Sequence, residues 1–404
     1  MINIAVLGYG TVGSGVVEVI NTNQDSINRR AGDEIRIKYV LDLRDFPGDP
    51  VQEVLVHDYE TIVNDPEVDI VVEVMGGLEP AHTFVKRALE AGKSVATSNK
   101  ALVAKFGPEL MNIARNKNIN FLFEASCGGG IPIIRALNQS LTADQIDEVT
   151  GILNGTTNYM LTKMDMEGSR FESVLKKAQE KGYAEADPTA DVEGYDACRK
   201  IAILSSLAYG KFLNYEKIHT EGITRITPED MEYARAMGMS IKLLATSRKL
   251  SEDSYYAVVA PFLVGKNNPL YSVNDVYNGI FVHGNVLGDA MFYGSGAGKL
   301  PTASAVVADV VDEAKHLHEN MPNEWNDQPL PLADPDQVSG RFFVRVQTTD
   351  LLLIRSVFGT IEQIQVPKAE GETGFVTAQM TLGQYKAKAA EIKAEILSMI
   401  RIKD

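Results

Sequence analysis

The sequence predicts an α/β chain in three parts: a doubly wound parallel sheet, an α+β domain behind it, and a small ferredoxin-like module. Three observations carry this. The first segment, Ile2-Asn3-Ile4-Ala5-Val6-Leu7-Gly8, is apolar at nearly every position, as expected of a strand buried on both faces. It runs straight into Gly8-Tyr9-Gly10-Thr11-Val12-Gly13 and an amphipathic helix through Val16, Val17, Val19 and Ile20. In that setting a glycine fingerprint marks a Rossmann dinucleotide site, because the glycines let the backbone approach a pyrophosphate lying on the helix N-terminus. Beyond a proline-rich stretch at 321–337, the order strand, helix, strand, strand, helix follows that of a ferredoxin-like unit.

Composition sets the outer limits. A chain of 404 residues suggests two or three domains. The boundaries expected are 1–135, 136–320, a linker at 321–337 and a module at 338–404, with the helix at 302–317 returning to the first domain. A net charge of −15 argues against a nucleic-acid partner. No apolar run is long enough to span a bilayer, and the first residues enter a strand directly, so no leader peptide is expected and the reading is cytoplasmic. Cys127 and Cys198 lie in different segments, which excludes a disulfide framework. The six histidines form no zinc-binding pattern.

Along the chain, a second strand at 35–41 leads into Asp42-Leu43-Arg44. Asp42 suits the ribose hydroxyls of NAD and Arg44 suits the 2′-phosphate of NADP, so both signals stand side by side and the balance leans to NADP. The strand at 69–74 runs into Met75-Gly76-Gly77, and the one at 94–96 into Thr97-Ser98-Asn99-Lys100. Ligands of open α/β sheets bind beyond the carboxyl ends of such strands, which puts Gly76, Thr97, Ser98 and Lys100 on the cofactor side. The strand at 120–124 ends on Glu124 and is followed by Ala125-Ser126-Cys127-Gly128-Gly129-Gly130-Ile131-Pro132. Its oxygens suit a hard cation; a plain turn before a helix is the competing reading.

In the middle domain, a strand over 149–153 ends in Asn154-Gly155-Thr156-Thr157-Asn158-Tyr159, small polar residues suited to a polar ligand. The run from Gly182 to Gly210 joins an acidic loop, with Glu185, Asp187, Asp191 and Glu193, to a helix that turns apolar on all sides after Lys200. Asp196 and Lys200 sit on that helix at i and i+4, on one face. Either they form a structural ion pair, or Lys200 is a catalytic acid tuned by burial and a carboxylate. Strands are expected at 255–262, 278–283 and 291–293, a second glycine-rich loop at Tyr293–Lys299, and a helix at 302–317. In the module, strands are expected at 342–347, 361–366 and 375–381, with helices at 351–358 and 384–400.

These motifs resemble the homoserine dehydrogenase family, most specifically in Asn154–Tyr159 and in Gly182-Tyr183-Ala184-Glu185-Ala186-Asp187-Pro188 continuing to Asp196 and Lys200. The resemblance implies reversible NAD(P)-dependent interconversion of L-homoserine and L-aspartate 4-semialdehyde. It implies Lys200 as proton donor, Lys100 in contact with cofactor and substrate, and Glu185 and Asp196 holding the amino acid, beside Asn154, Gly155, Thr156 and Asp191. Gly298 matches a residue next to the cofactor. Glu124, Cys127, Gly129 and Ile131 match the ligands of a sodium ion, held mostly through backbone carbonyls. The last module resembles an ACT domain, which implies a homodimer or homotetramer. Where ACT domains have an Asp-x-Pro-Gly turn, this chain has Thr349-Asp350-Leu351, so a feeble response to threonine, or none, is expected. Two other readings remain: an aldehyde dehydrogenase of the aspartate-semialdehyde type, forming a thioester on Cys127, and a non-catalytic NAD(P)-sensing regulator.

Overall fold

The computed structural model describes residues 1–323, 325–367 and 370–403. The chain forms two compact units, and each is built from separated segments. The first comprises Met1–Gln145, Ala202–Tyr215 and Phe292–Leu330; the second comprises Ile146–Ile201, Glu216–Met291 and Pro331–Asp404.

The first unit is laid on six parallel strands: Ile2–Leu7 (β1), Ile35–Leu41 (β2), Leu55–Val56 (β3), Ile70–Glu73 (β4), Ser94–Thr97 (β5) and Phe121–Leu122 (β6). Their order, β3-β2-β1-β4-β5-β6, reverses direction at β1, and that reversal opens the crevice in which doubly wound sheets bind ligands. The helix Thr11–Thr22 packs its buried Val16 and Ile20 with Ile4 and Val6 of β1. The helix Lys299–Lys315 joins the same cluster through Ala303, Val306 and Val310. Gly15 makes this possible, because a Cβ there would stand 2.9 Å from the Lys299 carbonyl oxygen.

The second unit holds a long mixed sheet. In chain order its elements are Ile146–Ile152 (β7), His219–Thr220 (β8), Met239–Ser251 (β9), Ser254–Gly265 (β10), Tyr277–Gly284 (β11) and Gly288–Ser295 (β12). Then follow Ser339–Gly340 (β13), Phe342–Val346 (β14), Ile361–Ile364 (β15), Thr373–Thr377 (β16), Met380–Thr381 (β17) and Ile396–Lys403 (β18). The path is β12-β11-β7-β9-β10-β18-β14-β16-β15, with β8 beside β10 and β13 paired to β17 apart from it.

Three expectations need correction. The helix expected over 384–400 stops at Glu391, and β18 follows. Ile396 and Met399 keep helical spacing to Ile392, yet they belong to a strand that pairs in parallel with β10 and antiparallel with β14. The module therefore has the full order βαββαβ, and one sheet runs through it and the middle domain. The stretch at 321–337 is not a free linker: Trp325 is 2% exposed, fitted over Gly107 and stacked near Phe212. Glu324, in the same stretch, lies outside the described residues. Finally, the boundaries at 135 and 320 give way to interleaved segments. The apolar faces of Ala202–Tyr215 and Lys299–Lys315 are buried in the first unit.

Two predictions come from this packing. Gly374 on β16 faces Tyr233, and a Cβ built there would lie 2.2 Å from the ring, which is 1% exposed. Gly374→Ala should lower unfolding stability by about 1–3 kcal/mol, the usual cost of overpacking. An unchanged urea midpoint would mean the ring yields freely.

Lys242 on β9 is buried, donating to the Val273 carbonyl at 2.6 Å and Asn274 Oδ1 at 2.8 Å. Burial lowers its pKa to about 8, against the pull of Asp165 and Asp275. Between that value and about 10.4 the unfolded chain binds a proton that the folded chain does not, so this group makes stability rise with pH across the window. Urea midpoints at both ends should show that rise, and Lys242→Met should flatten it.

Candidate active site

The glycine loop of the first unit is built for close approach. Gly8 has φ +99°, and a Cβ on Gly13 would fall 1.9 Å from the Gly8 carbonyl oxygen. The helix from Thr11 is preceded by Gly10 as its N-cap, and no side chain caps it. Its first amides therefore have no capping oxygen, the arrangement that favours a phosphate. Thr11 and Val12 form its first turn.

Asp42, at the end of β2, fixes this loop. Its Oδ2 accepts the Tyr9 amide at 2.9 Å, and its two oxygens accept Arg44 Nε and Nη2 at 3.0 Å each. The Arg44 guanidinium holds the Asp42 carboxyl well below the usual carboxylate range. Arg44 also reaches the Tyr9 carbonyl at 3.3 Å, while its side chain stays 62% exposed. Sequence reasoning set these two residues as rivals; the structure makes them one clamp.

A carboxylate that sequence reasoning missed organises the next two strand ends. Glu73 closes β4 and is 0% exposed. Its oxygens accept the Met75 amide at 2.9 Å, the Gly76 amide at 3.3 Å and Thr97 Oγ1 at 2.6 Å. Burial pushes its pKa up, opposed by those hydrogen bonds. Thr97 Oγ1 in turn accepts the Asn99 amide, and Asn99 caps the helix Lys100–Lys117 through the Leu102 amide at 3.1 Å. Ser98 donates its amide to the Glu73 carbonyl. Gly76, Thr97, Ser98 and Lys100 are thereby brought together. The readable signal was a carboxylate inside a fully buried strand.

The loop after β6 differs from the side-chain reading. The Glu124 carboxylate accepts the Ile134 amide at 2.8 Å and the Arg135 amide at 2.7 Å, while its own amide goes to Asp309. Both of its carboxylate oxygens thus bind the first amides of the following helix. Among the described residues no group of three or more His, Cys, Asp or Glu side chains could hold a metal. Gly129, at φ +55°, lies so close to Gly296 that a Cβ would meet its carbonyl at 2.5 Å, and Gly130 donates to the Ser295 carbonyl. Cys127, Gly129 and Ile131 thus lie in a loop braced by the second glycine-rich loop, which ends at Gly298, the N-cap of the helix Lys299–Lys315. Cys127 is 0% exposed, so its thiol is not presented to an aldehyde.

In the second unit the chain assembles a compact polar knot. β7 delivers Leu153 and Asn154, and Asn154 caps the helix Gly155–Glu167 by accepting the Thr157 amide at 2.8 Å. Gly155 has no room for a side chain, because a Cβ would meet the Val276 carbonyl at 2.7 Å. The Asn154 amide nitrogen donates to Asp191 Oδ1 at 2.7 Å and Asp196 Oδ2 at 3.0 Å. Lys200 Nζ lies 2.8 Å from Asp196 Oδ2 and donates to the Leu153 carbonyl at 2.8 Å. Both partners of the ion pair are buried, at 10% and 7% side-chain exposure. Thr156 Oγ1 donates to the Tyr183 carbonyl. Glu185 is exposed, and its carbonyl accepts from Gln179. The structure does not bring its carboxylate to the Asp196–Lys200 pair. The Leu153 carbonyl, with no side chain to announce it, is the partner that sequence reasoning missed.

Comparison with known proteins agrees with this layout. Residues 8–124 match the family model of the homoserine dehydrogenase NAD binding domain, and residues 132–311 match that of homoserine dehydrogenase. A homoserine dehydrogenase of Synechocystis is 40% identical, over 99% of each chain. The crystal structure of a homoserine dehydrogenase from Thiobacillus denitrificans superposes with a TM-score of 0.91 at 36% identity, covering 100% of this chain and 98% of that one. A hyperthermophilic archaeal homoserine dehydrogenase in complex with NADPH gives a TM-score of 0.68 at 29% identity, over 80% of this chain and 99% of that one. With its NAD-binding sheet, its second α/β unit and these full-length relatives, the chain belongs to the homoserine dehydrogenase family of NAD(P)-dependent oxidoreductases.

Proposed function

We propose that this protein reduces L-aspartate 4-semialdehyde to L-homoserine, reversibly, with Lys200 as the proton donor. The observation that carries the proposal is the buried ammonium held at a strand end by Asp196 and the Leu153 carbonyl. Hydride addition to the aldehyde carbon leaves an alkoxide, and Lys200 supplies its proton directly or through one water. Asp196 and Asn154 keep the donor in place. Asp191, Thr156 and Gly155 shape the surrounding pocket, and Glu185 offers a negative charge to the substrate ammonium. In the first unit Lys100 serves cofactor and substrate, and the glycine fingerprint with Gly76, Thr97, Ser98 and Gly298 receives the nicotinamide dinucleotide, which supplies the hydride. The carbonyls of Glu124, Cys127, Gly129 and Ile131 would hold sodium.

NADP is the cofactor we favour. Both Asp42 oxygens are engaged by Arg44 and Tyr9, which leaves them poorly placed for ribose hydroxyls, while Arg44 remains exposed beside the loop. The ACT-like module, by this reading, assembles a homodimer or homotetramer and answers threonine feebly. Asp350 Oδ1 accepts the Leu352 and Leu353 amides and so occupies the donors a carboxylate would use. Among the described residues no helix is long and apolar enough to cross a membrane, in keeping with a cytoplasmic setting.

Two variants test this. Lys200→Ala should cut turnover by about two to four decades and leave cofactor affinity intact; near-normal turnover of the folded variant would remove Lys200 from the chemistry. Arg44→Ala should weaken NADPH binding by about 1–3 kcal/mol and spare NADH. Calorimetric titration of both cofactors decides, and equal losses would mean Arg44 does not meet the 2′-phosphate.

A further inference from the structure

Glu73 is a buried charge without a counter-ion. It closes β4, is 0% exposed, and its bonded partners all donate: the Met75 and Gly76 amides to Oε1 and the Thr97 hydroxyl to Oε2. Thr97 Oγ1 accepts the Asn99 amide at 2.9 Å, so its own hydrogen is left for Glu73. Three donors and no acceptor describe a carboxylate rather than a carboxylic acid. Among the described residues no cation is ion-paired with it; neutral groups alone hold it. A carboxylate buried in this way is costly, and such groups gather at functional sites.

The place of Glu73 in the sheet says which ligand can meet its charge. The glycine loop after β1 and Arg44 after β2 belong to one half of the doubly wound sheet, the half that takes the pyrophosphate and the adenosine end of a dinucleotide. β4 and β5 belong to the other half, so the nicotinamide end lies over the loops that follow them. Those are the loops that Glu73 draws together, and Asn99 Nδ2 closes them further by donating to the Gly77 carbonyl at 2.6 Å. The helix Lys100–Lys117 turns its positive end to the same side. A cationic ring is disfavoured there unless a negative charge stands behind the loops.

The nicotinamide ring is neutral when reduced and a pyridinium cation once its hydride has left. We propose that Glu73 sets a fixed negative charge behind this ring, and so favours its oxidised form and eases hydride departure to the aldehyde. Glu73 is bonded to the loops and 0% exposed, so it acts through its field as a positioning residue; this role rests on the cofactor site proposed above.

Calorimetric titration of the whole protein tests this. In the parent protein NAD⁺ should bind at least about fivefold more tightly than benzamide adenine dinucleotide, which has the same shape and no ring charge. Glu73→Gln should abolish that preference and weaken NADP⁺ binding at least about fivefold more than NADPH binding. Glu73→Asp keeps the charge and should retain the preference. Thr97→Val removes one bond to the carboxylate and spares the charge, so it should weaken both redox forms alike. Melting temperatures show which variants are folded, and the comparison in the parent protein needs none of them. Equal binding of NAD⁺ and its benzamide isostere would overturn the proposal. So would equal losses of NADP⁺ and NADPH affinity in folded Glu73→Gln, which would reduce Glu73 to a brace between loops. Binding of no dinucleotide at all would overturn the cofactor site itself and this role with it.

Discussion

The Lys200 ammonium is buried, and a charge in that position persists only where each of its surroundings answers it. Asp196 supplies the opposite charge from one helical turn away, and Leu153 supplies a carbonyl from the end of β7. Asn154 then bonds Asp196, bonds Asp191 and caps the following helix with the same side chain. A strand end, two helix starts and an acidic loop are held in register by one cation. Loss of any partner would leave the remaining charges unmatched in a low-dielectric setting, so the arrangement resists drift.

The parallel sheet of the first unit solves a related problem with an acid. Glu73 draws the amides after β4 and the hydroxyl at the end of β5 toward one buried carboxylate. Two loops that share no sequence pattern are thus placed side by side at the carboxyl end of the sheet. Asp42 does the same for the glycine loop. The cofactor face owes its shape to these acids as much as to the glycines between them.

What was readable in the sequence follows from the range of each interaction. The glycine fingerprint, the helix carrying Asp196 and Lys200, and the cap at Asn154 are local, and a few neighbouring residues reveal them. The bond from Lys200 to Leu153 joins residues far apart and ends on a backbone oxygen, which no side chain announces. Glu124 shows the same limit: its carboxylate was visible, but the Ile134 and Arg135 amides that it accepts were not. β18 was read as helix because Ile392, Ile396 and Met399 satisfy a helical period. The long-range pairing with β10 and β14 decides otherwise.

That pairing also has a consequence for the order of synthesis. β10 pairs with β9 on one side and with β18 on the other, and β18 emerges from the ribosome well over a hundred residues later. Until then the edge of β10 at Phe262, Leu263 and Val264 is open. Open apolar edges recruit foreign strands. The nascent chain therefore passes through a stage in which its longest sheet is unclosed. Non-local closure of this kind is slow and aggregation-prone. Yield of the folded protein in cells should thus be more sensitive to chaperone supply than the stability of the finished molecule suggests.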